Sequence, residues 1–280
     1  MPGAAKNAMT VPVPWRLGVR MYHVTDDLAL AWNQLLVAMV DKLRQRGWTE
    51  EMAIDPRVDD LASFWAAPNL LLGQTCGYPL DTSLASKVHV VGTPVFSHAY
   101  CDGMRYSSLL LVHQDSGLHA LEDLRGMRVL YNGPDSHSGM NALRHSVAPL
   151  ARDGRFFGSV HATGGHRGSL AALQRREADV ACIDCAHYGY ALRDAPDRVA
   201  GLRVLHVTAH APGLPFIASR YLSEPRLQQL RRALLELPAE RPDLMLPLAI
   251  SSIEPTTLAQ YGQILDMERQ AVALGYPALA

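Results

Sequence analysis

The chain has 280 residues, of which 48% are apolar and 19% charged, and a formal net charge of −1. That length can bury a large core and divide into two α/β lobes or one larger domain. The charge balance argues against an electrostatic nucleic-acid binder, and no run of about 18 apolar residues is present to span a membrane as a helix.

Met1–Thr10 carries one lysine and no apolar stretch, so as written it does not read as a secretory signal. The protein is expected either to stay in the cytoplasm or to have a leader beyond this sequence. Trp15 to Tyr22 reads as the first strand, and Thr25 or Asp26 caps a helix that Gly47 ends. Residues 49–60 read as a polar loop, followed by a short helix from Asp59 to Trp65 and a buried strand from Asn69 to Gln74. A turn-rich loop holds Tyr78. Val88–Val95 and Tyr106–His113 are the next strands, and Leu118–Gly126 is a short helix closed by glycine.

The run Met127–Tyr131 reads as a buried strand. It leads into Asp135-Ser136-His137-Ser138-Gly139 and then a helix from Met140 to Ala151. Hydroxyl residues at a strand–helix junction are N-cap residues. Such a junction also presents free N–H groups and the positive end of the helix dipole, which suits an oxyanion. An ordinary cap and an anion site are both compatible with these residues alone. Gly158–Thr163 is a strand, a helix begins near Gly164–Ser169, Ala178–Ile183 is a buried strand, and Ala186–Asp194 is a helix. Leu202–Thr208 and Phe216–Ser219 are extended, and the remainder reads as mainly helical.

Alternating strands and helices predict an α/β fold with mostly parallel sheets flanked by helices. Ligands in such folds sit beyond the carboxyl ends of strands, where Tyr22, Gln74, Ser136, His166 and Asp184 fall. Four cysteines, Cys76, Cys101, Cys182 and Cys185, are present. Cys182 and Cys185 have CxxC spacing without a second pair, which is weak support for metal or redox chemistry. Cys76 and Cys101 each lie beside a strand and could face one another. No cofactor or metal is expected.

The segments Leu71–Leu80, Tyr106-Ser107-Ser108, Leu121–Gly126, Ser136–Gly139, Thr163–Ser169, Ala178-Asp179-Val180 and Pro212–Pro215 together resemble the phosphonate/phosphite/phosphate-binding proteins of ABC importers. Their order and spacing match over roughly residues 15 to 235. The strand, Ser-x-Ser-Gly and helix element, followed about 30 residues later by His166, is the most specific part. The resemblance implies a two-lobed type II periplasmic-binding-protein-like fold with the ligand cleft between the lobes. The first lobe would comprise 1–98 plus 208–280 and the second 99–207.

Carried over by position, the resemblance implies that Ser136, His137 and Ser138 bind a small phosphorus oxyanion through hydroxyls and backbone N–H groups. His166 would donate to a second oxygen, with Tyr22 and Tyr106 walling the pocket and Gln74 and Tyr78 as further contacts. Asp184 stands where such proteins place one of the acids that hold an ammonium group. The second acid is replaced by Leu214. The implied protein is a non-catalytic, monomeric receptor that delivers a small anion to an ABC permease, and its compartment would be the periplasm. An intracellular sensor or carrier on the same fold, or an enzyme using Ser136, His137, His166, Asp184 and Cys185, are the alternatives.

Overall fold

The computed structural model describes residues 13–280, so the reading of Met1–Thr10 lies outside the described residues. Along the chain come β1 (Trp15–Gly18), α1 (Asp26–Gln45), β2 (Met52–Ile54), α2 (Leu61–Trp65), β3 (Leu70–Gln74), α3 (Gly77–Pro79) and β4 (Val88–Phe96). Then follow β5 (Cys101–Asp102), β6 (Arg105–Tyr106), β7 (Ser108–His113), β8 (Arg128–Tyr131), α4 (Ala142–Val147) and β9 (Ser159–Ala162). Next are α5 (His166–Gln174), β10 (Val180–Asp184), α6 (Cys185–Asp194), β11 (Leu202–Val207), β12 (Ala211–Pro212) and β13 (Phe216–Ser219). The chain finishes with α7 (Glu224–Glu240), α8 (Pro242–Met245), β14 (Ile250–Glu254) and α9 (Leu258–Ala273).

Local chemistry sets several of these boundaries. Thr25 accepts from the Leu28 amide at 3.2 Å and opens α1, whose first turn carries Asp26 and Asp27 at the positive end of the dipole. Gly47, at φ +82°, takes the left-handed conformation that ends it. The α1 face bearing Trp32, Leu35, Met39 and Leu43 is buried against the first sheet's core. Each such side chain contributes about 1.5–3 kcal/mol by leaving water.

Two large sheets organise the fold. The first has the order β14-β4-β13-β3-β1-β2 and the second β11-β7-β10-β8-β9. The strands are not mostly parallel, as the alternation predicts. Among the described residues, only β1 with β2 and β3, and β8 with β9 and β10, run parallel. Strands β7 and β11 in one sheet, and β4, β13 and β14 in the other, pair antiparallel. The cause is the path between sheets. A chain that leaves one sheet, builds the other and returns adds its crossing strands in the reverse direction.

Two strands lie where loop or helix is predicted. β2 forms within the polar stretch as an edge beside β1, and β14 forms within the supposedly helical tail beside β4. Tyr106–His113, predicted as one strand, is divided between β6 and β7, which belong to separate sheets. The third sheet, β12-β6-β5, joins the two segments that cross between the large sheets.

Side-chain alternation splits the second sheet into two packed faces. Leu109, Leu111, Ala181 and Ile183 join the main core, which α5 completes through Leu170 and Leu173. Leu110, Val112, Val180 and Cys182 face the other way, with Leu143 and Val147 of α4 and the C-terminal Ala271 and Tyr276. Helix α9 therefore spans the molecule. Its Tyr261 hydroxyl donates to the Gly213 carbonyl at 3.0 Å, while Glu268 pairs with Arg144 at 3.1 Å. Beyond it, the Ala280 carbonyl accepts from the Phe156 and Phe157 amides.

Candidate functional site

The turn after β8 is built around Ser136. Its backbone is still extended at φ −95°, and its hydroxyl accepts from the Gly139 amide at 3.0 Å. Its carbonyl accepts from both Met140 and Asn141, so residues 137–141 open the helix as a wide π-type turn before α4. The Cys182 thiol of β10 donates to the Ser138 carbonyl at 3.1 Å and ties the turn to the sheet. Glycine at 139 permits a close approach, since a Cβ there would lie 1.8 Å from Asn132 Oδ1. Ser136 and Ser138 hydroxyls consequently stand 3.4 Å apart on one side of the turn.

A second helix start faces them. Gly164 at φ +81° turns the chain, and α5 begins at His166 with no side chain capping it. The first-turn amides of an uncapped helix are open donors. His166 Nε2 lies 3.0 Å from the Ser138 hydroxyl, and its Nδ1 has no partner. Burial pushes its pKa down to about 4, so the ring is neutral at pH 7.

The third contribution is Asp184 at the end of β10. Its Oδ1 accepts from the Ala186 and His187 amides at 2.8 and 3.1 Å, capping α6, and its Oδ2 accepts from the Tyr22 hydroxyl at 3.1 Å. The last bond links the loop after β1 to the second sheet. Burial raises the carboxyl to about pKa 6, with the two amides and Tyr22 opposing it. Tyr22 rests edge-on against Phe96, ring centroids 5.2 Å apart.

These groups line one cavity of about 700 Å³ between the two large sheets. Of the sequence-predicted residues, Tyr22, Ser136, Ser138, His166 and Asp184 are on its wall. His137, Tyr106, Gln74 and Tyr78 are not. The His137 ring is buried beneath the turn, where Asn141 donates to its Nδ1 at 3.1 Å, and its amide donates to the Cys76 sulfur at 3.3 Å. Alternation through the extended Ser136 sends the neighbouring side chain inward. Tyr106 is buried close to Ser138. Gln74 donates to the Leu214 carbonyl at 3.2 Å, and the Tyr78 hydroxyl donates to Glu268 at 2.9 Å.

The cysteines pair differently from the sequence expectation. Cys101 Sγ lies 3.5 Å from Cys185 Sγ, and all four thiols are free. Cys76 and Cys101 are drawn apart because Cys76 sits under the serine turn whereas Cys101 lies in the crossover sheet.

Sequence reasoning missed Arg20, Asn132, Arg167 and His187, all on the cavity wall. The signal for His187 was its position at the third residue of a helix starting from a strand end that faces the cleft. Leu214, noted for replacing an acid, is buried on the same wall. The site thus offers hydroxyls, neutral imidazoles and open amides around one committed carboxylate. Such donors suit an oxyanion, and Arg20 and Arg167 on the same wall add positive charge.

A family model described as the periplasmic substrate-binding protein of the phosphonate ABC transporter matches residues 78–261. No curated protein sequence matches the chain. Among solved structures, PhnD1 from Prochlorococcus marinus in complex with methylphosphonate superposes with a TM-score of 0.74 at 15% identity, covering 92% of this chain and 98% of that one. The binding protein component of an ABC phosphonate transporter from Pseudomonas aeruginosa gives 0.74 at 19% identity, with 92% and 88% covered. The periplasmic aliphatic sulphonate binding protein SsuA from Escherichia coli gives 0.54 at 18%, with 92% and 84% covered. At these identities the likeness is one of fold.

Proposed function

Because the chain belongs to the family of periplasmic substrate-binding proteins of phosphonate ABC transporters, we propose that its cleft captures a small phosphorus oxyanion for delivery to a permease. The observation that carries this is the pair of hydroxyls on Ser136 and Ser138, 3.4 Å apart, with His166 Nε2 at 3.0 Å and an uncapped helix start beside them. Tyr22 and Asp184 close the floor from the two sides.

On this reading the lobes are 1–98 plus 208–280, of which 1–12 lie outside the described residues, and 99–207, with the tail after α9 docked on the second. Capture closes them by bending at the crossover sheet. The Ser138–His166 pair resembles a nucleophile and its base, but the role is binding. A catalytic imidazole is favoured by an orienting partner on its second nitrogen and by a pKa near the working pH. Among the described residues no carboxylate orients His166, and burial holds its pKa down to about 4. On this reading, which the family supports, the ligand leaves unchanged.

A thermal-shift panel of phosphate, phosphite, methylphosphonate and methanesulfonate tests the reading. A ligand that binds only the folded state raises the unfolding temperature with the logarithm of its concentration. At least one phosphorus oxyanion should do so, and should be recovered intact after denaturation. No shift with any of them at millimolar concentration, or recovery of a hydrolysed product, would overturn it.

A further inference from the structure

His187 is unexplained by the oxyanion alone. It is 5% exposed, borders the cavity, and neither ring nitrogen has a partner. A buried polar group without a hydrogen bond costs stability unless a ligand completes it. Its ring lies 5.3 Å from that of His166, so it stands next to the oxyanion subsite.

The surroundings decide what would complete it. Asp184, the nearest buried carboxylate on the wall, already accepts two amides and the Tyr22 hydroxyl, and Leu214 offers no charge. The other acids on the wall, Asp59 and Asp135, are exposed and solvated. The charged groups that act on the His187 ring from neighbouring elements are Arg167 at the start of α5 and Arg198 after α6, both cations.

We infer that His187, with Arg167, forms a second subsite for a carboxylate carried on the phosphonate's organic substituent. The neutral imidazole donates one hydrogen bond to the carboxylate, and the exposed Arg167 guanidinium supplies charge. An ammonium substituent would meet the Arg167 cation on the wall, and the buried acid there, Asp184, already accepts three hydrogen bonds. This inference rests on the oxyanion reading of the cleft and narrows it to one ligand class.

Calorimetry on the purified protein with phosphonoacetate, methylphosphonate and 2-aminoethylphosphonate tests it. Phosphonoacetate should bind about tenfold more tightly than methylphosphonate, a difference of about 1.4 kcal/mol, and 2-aminoethylphosphonate most weakly. In His187→Ala, and in the surface variant Arg167→Gln, the ratio of phosphonoacetate to methylphosphonate affinity should fall towards one. Preference for 2-aminoethylphosphonate, or an unchanged ratio in Arg167→Gln, overturns the inference while leaving the oxyanion site standing. Failure of all three compounds to bind overturns both.

Discussion

Single residues carry most of the site. Gly139 packs where a Cβ would meet Asn132 Oδ1 at 1.8 Å and the Asn132 amide nitrogen at 3.0 Å. Helix propensity alone favours alanine there by about 1 kcal/mol, but overpacking costs about 1–3 kcal/mol. Gly139→Ala should therefore destabilise in a denaturant titration and also weaken anion binding; a stabilised variant would contradict the packing. His137 makes a second case. Burial, with His145 nearby, holds its pKa down to about 3, whereas the unfolded imidazole protonates near 6.5. The unfolded state therefore takes up the proton first. The contribution to stability is complete above about pH 6.5 and drains by up to about 1.4 kcal/mol per unit as pH falls towards 3. Unfolding curves of His137→Gln should decline less steeply than wild type between pH 7 and 4, and parallel declines would contradict this. Ser136, Ser138 and His166 are legible from sequence because small hydroxyls and a glycine pair mark helix starts. The inward turn of His137 and the cavity position of His187 are not, because each depends on how neighbouring elements pack.

Among the elements, those with strong local signals match their sequence reading. α1 has an N-cap, an apolar stripe and a terminal glycine, and it runs close to the predicted span. β14 has only two apolar residues in Ile250–Glu254 and needs β4 as a partner before it reads as a strand. The helix after Ser136 begins as a π-type turn, a departure that one-dimensional periodicity does not encode. The C-terminal tail is the element whose packing matters most to the second sheet. Tyr276 is fully buried there, and its hydroxyl donates to the Ala280 carbonyl at 2.8 Å. Tyr276→Ala should cost about 3–5 kcal/mol, as removal of a buried aromatic ring does. A loss below about 1 kcal/mol in chemical denaturation would show that the tail is not part of the core.

At the scale of the whole molecule, alternation identified an α/β protein, and the motifs identified its family. Strand direction escaped because alternation does not reveal that the chain leaves one sheet and returns to it. That path places the Ser136 turn, the start of α5 and the Asp184 cap opposite Tyr22 across one cleft. On the proposed reading each wall alone holds half a site, so affinity should depend on both being brought together. The most direct test is calorimetric titration of the tightest phosphorus oxyanion into wild type, Ser136→Ala and Ser138→Ala at pH 7. Each variant should stay folded and lose about 1–3 kcal/mol of binding, because a buried oxygen of the ligand loses its donor. Binding by both variants as tight as wild type would contradict the account.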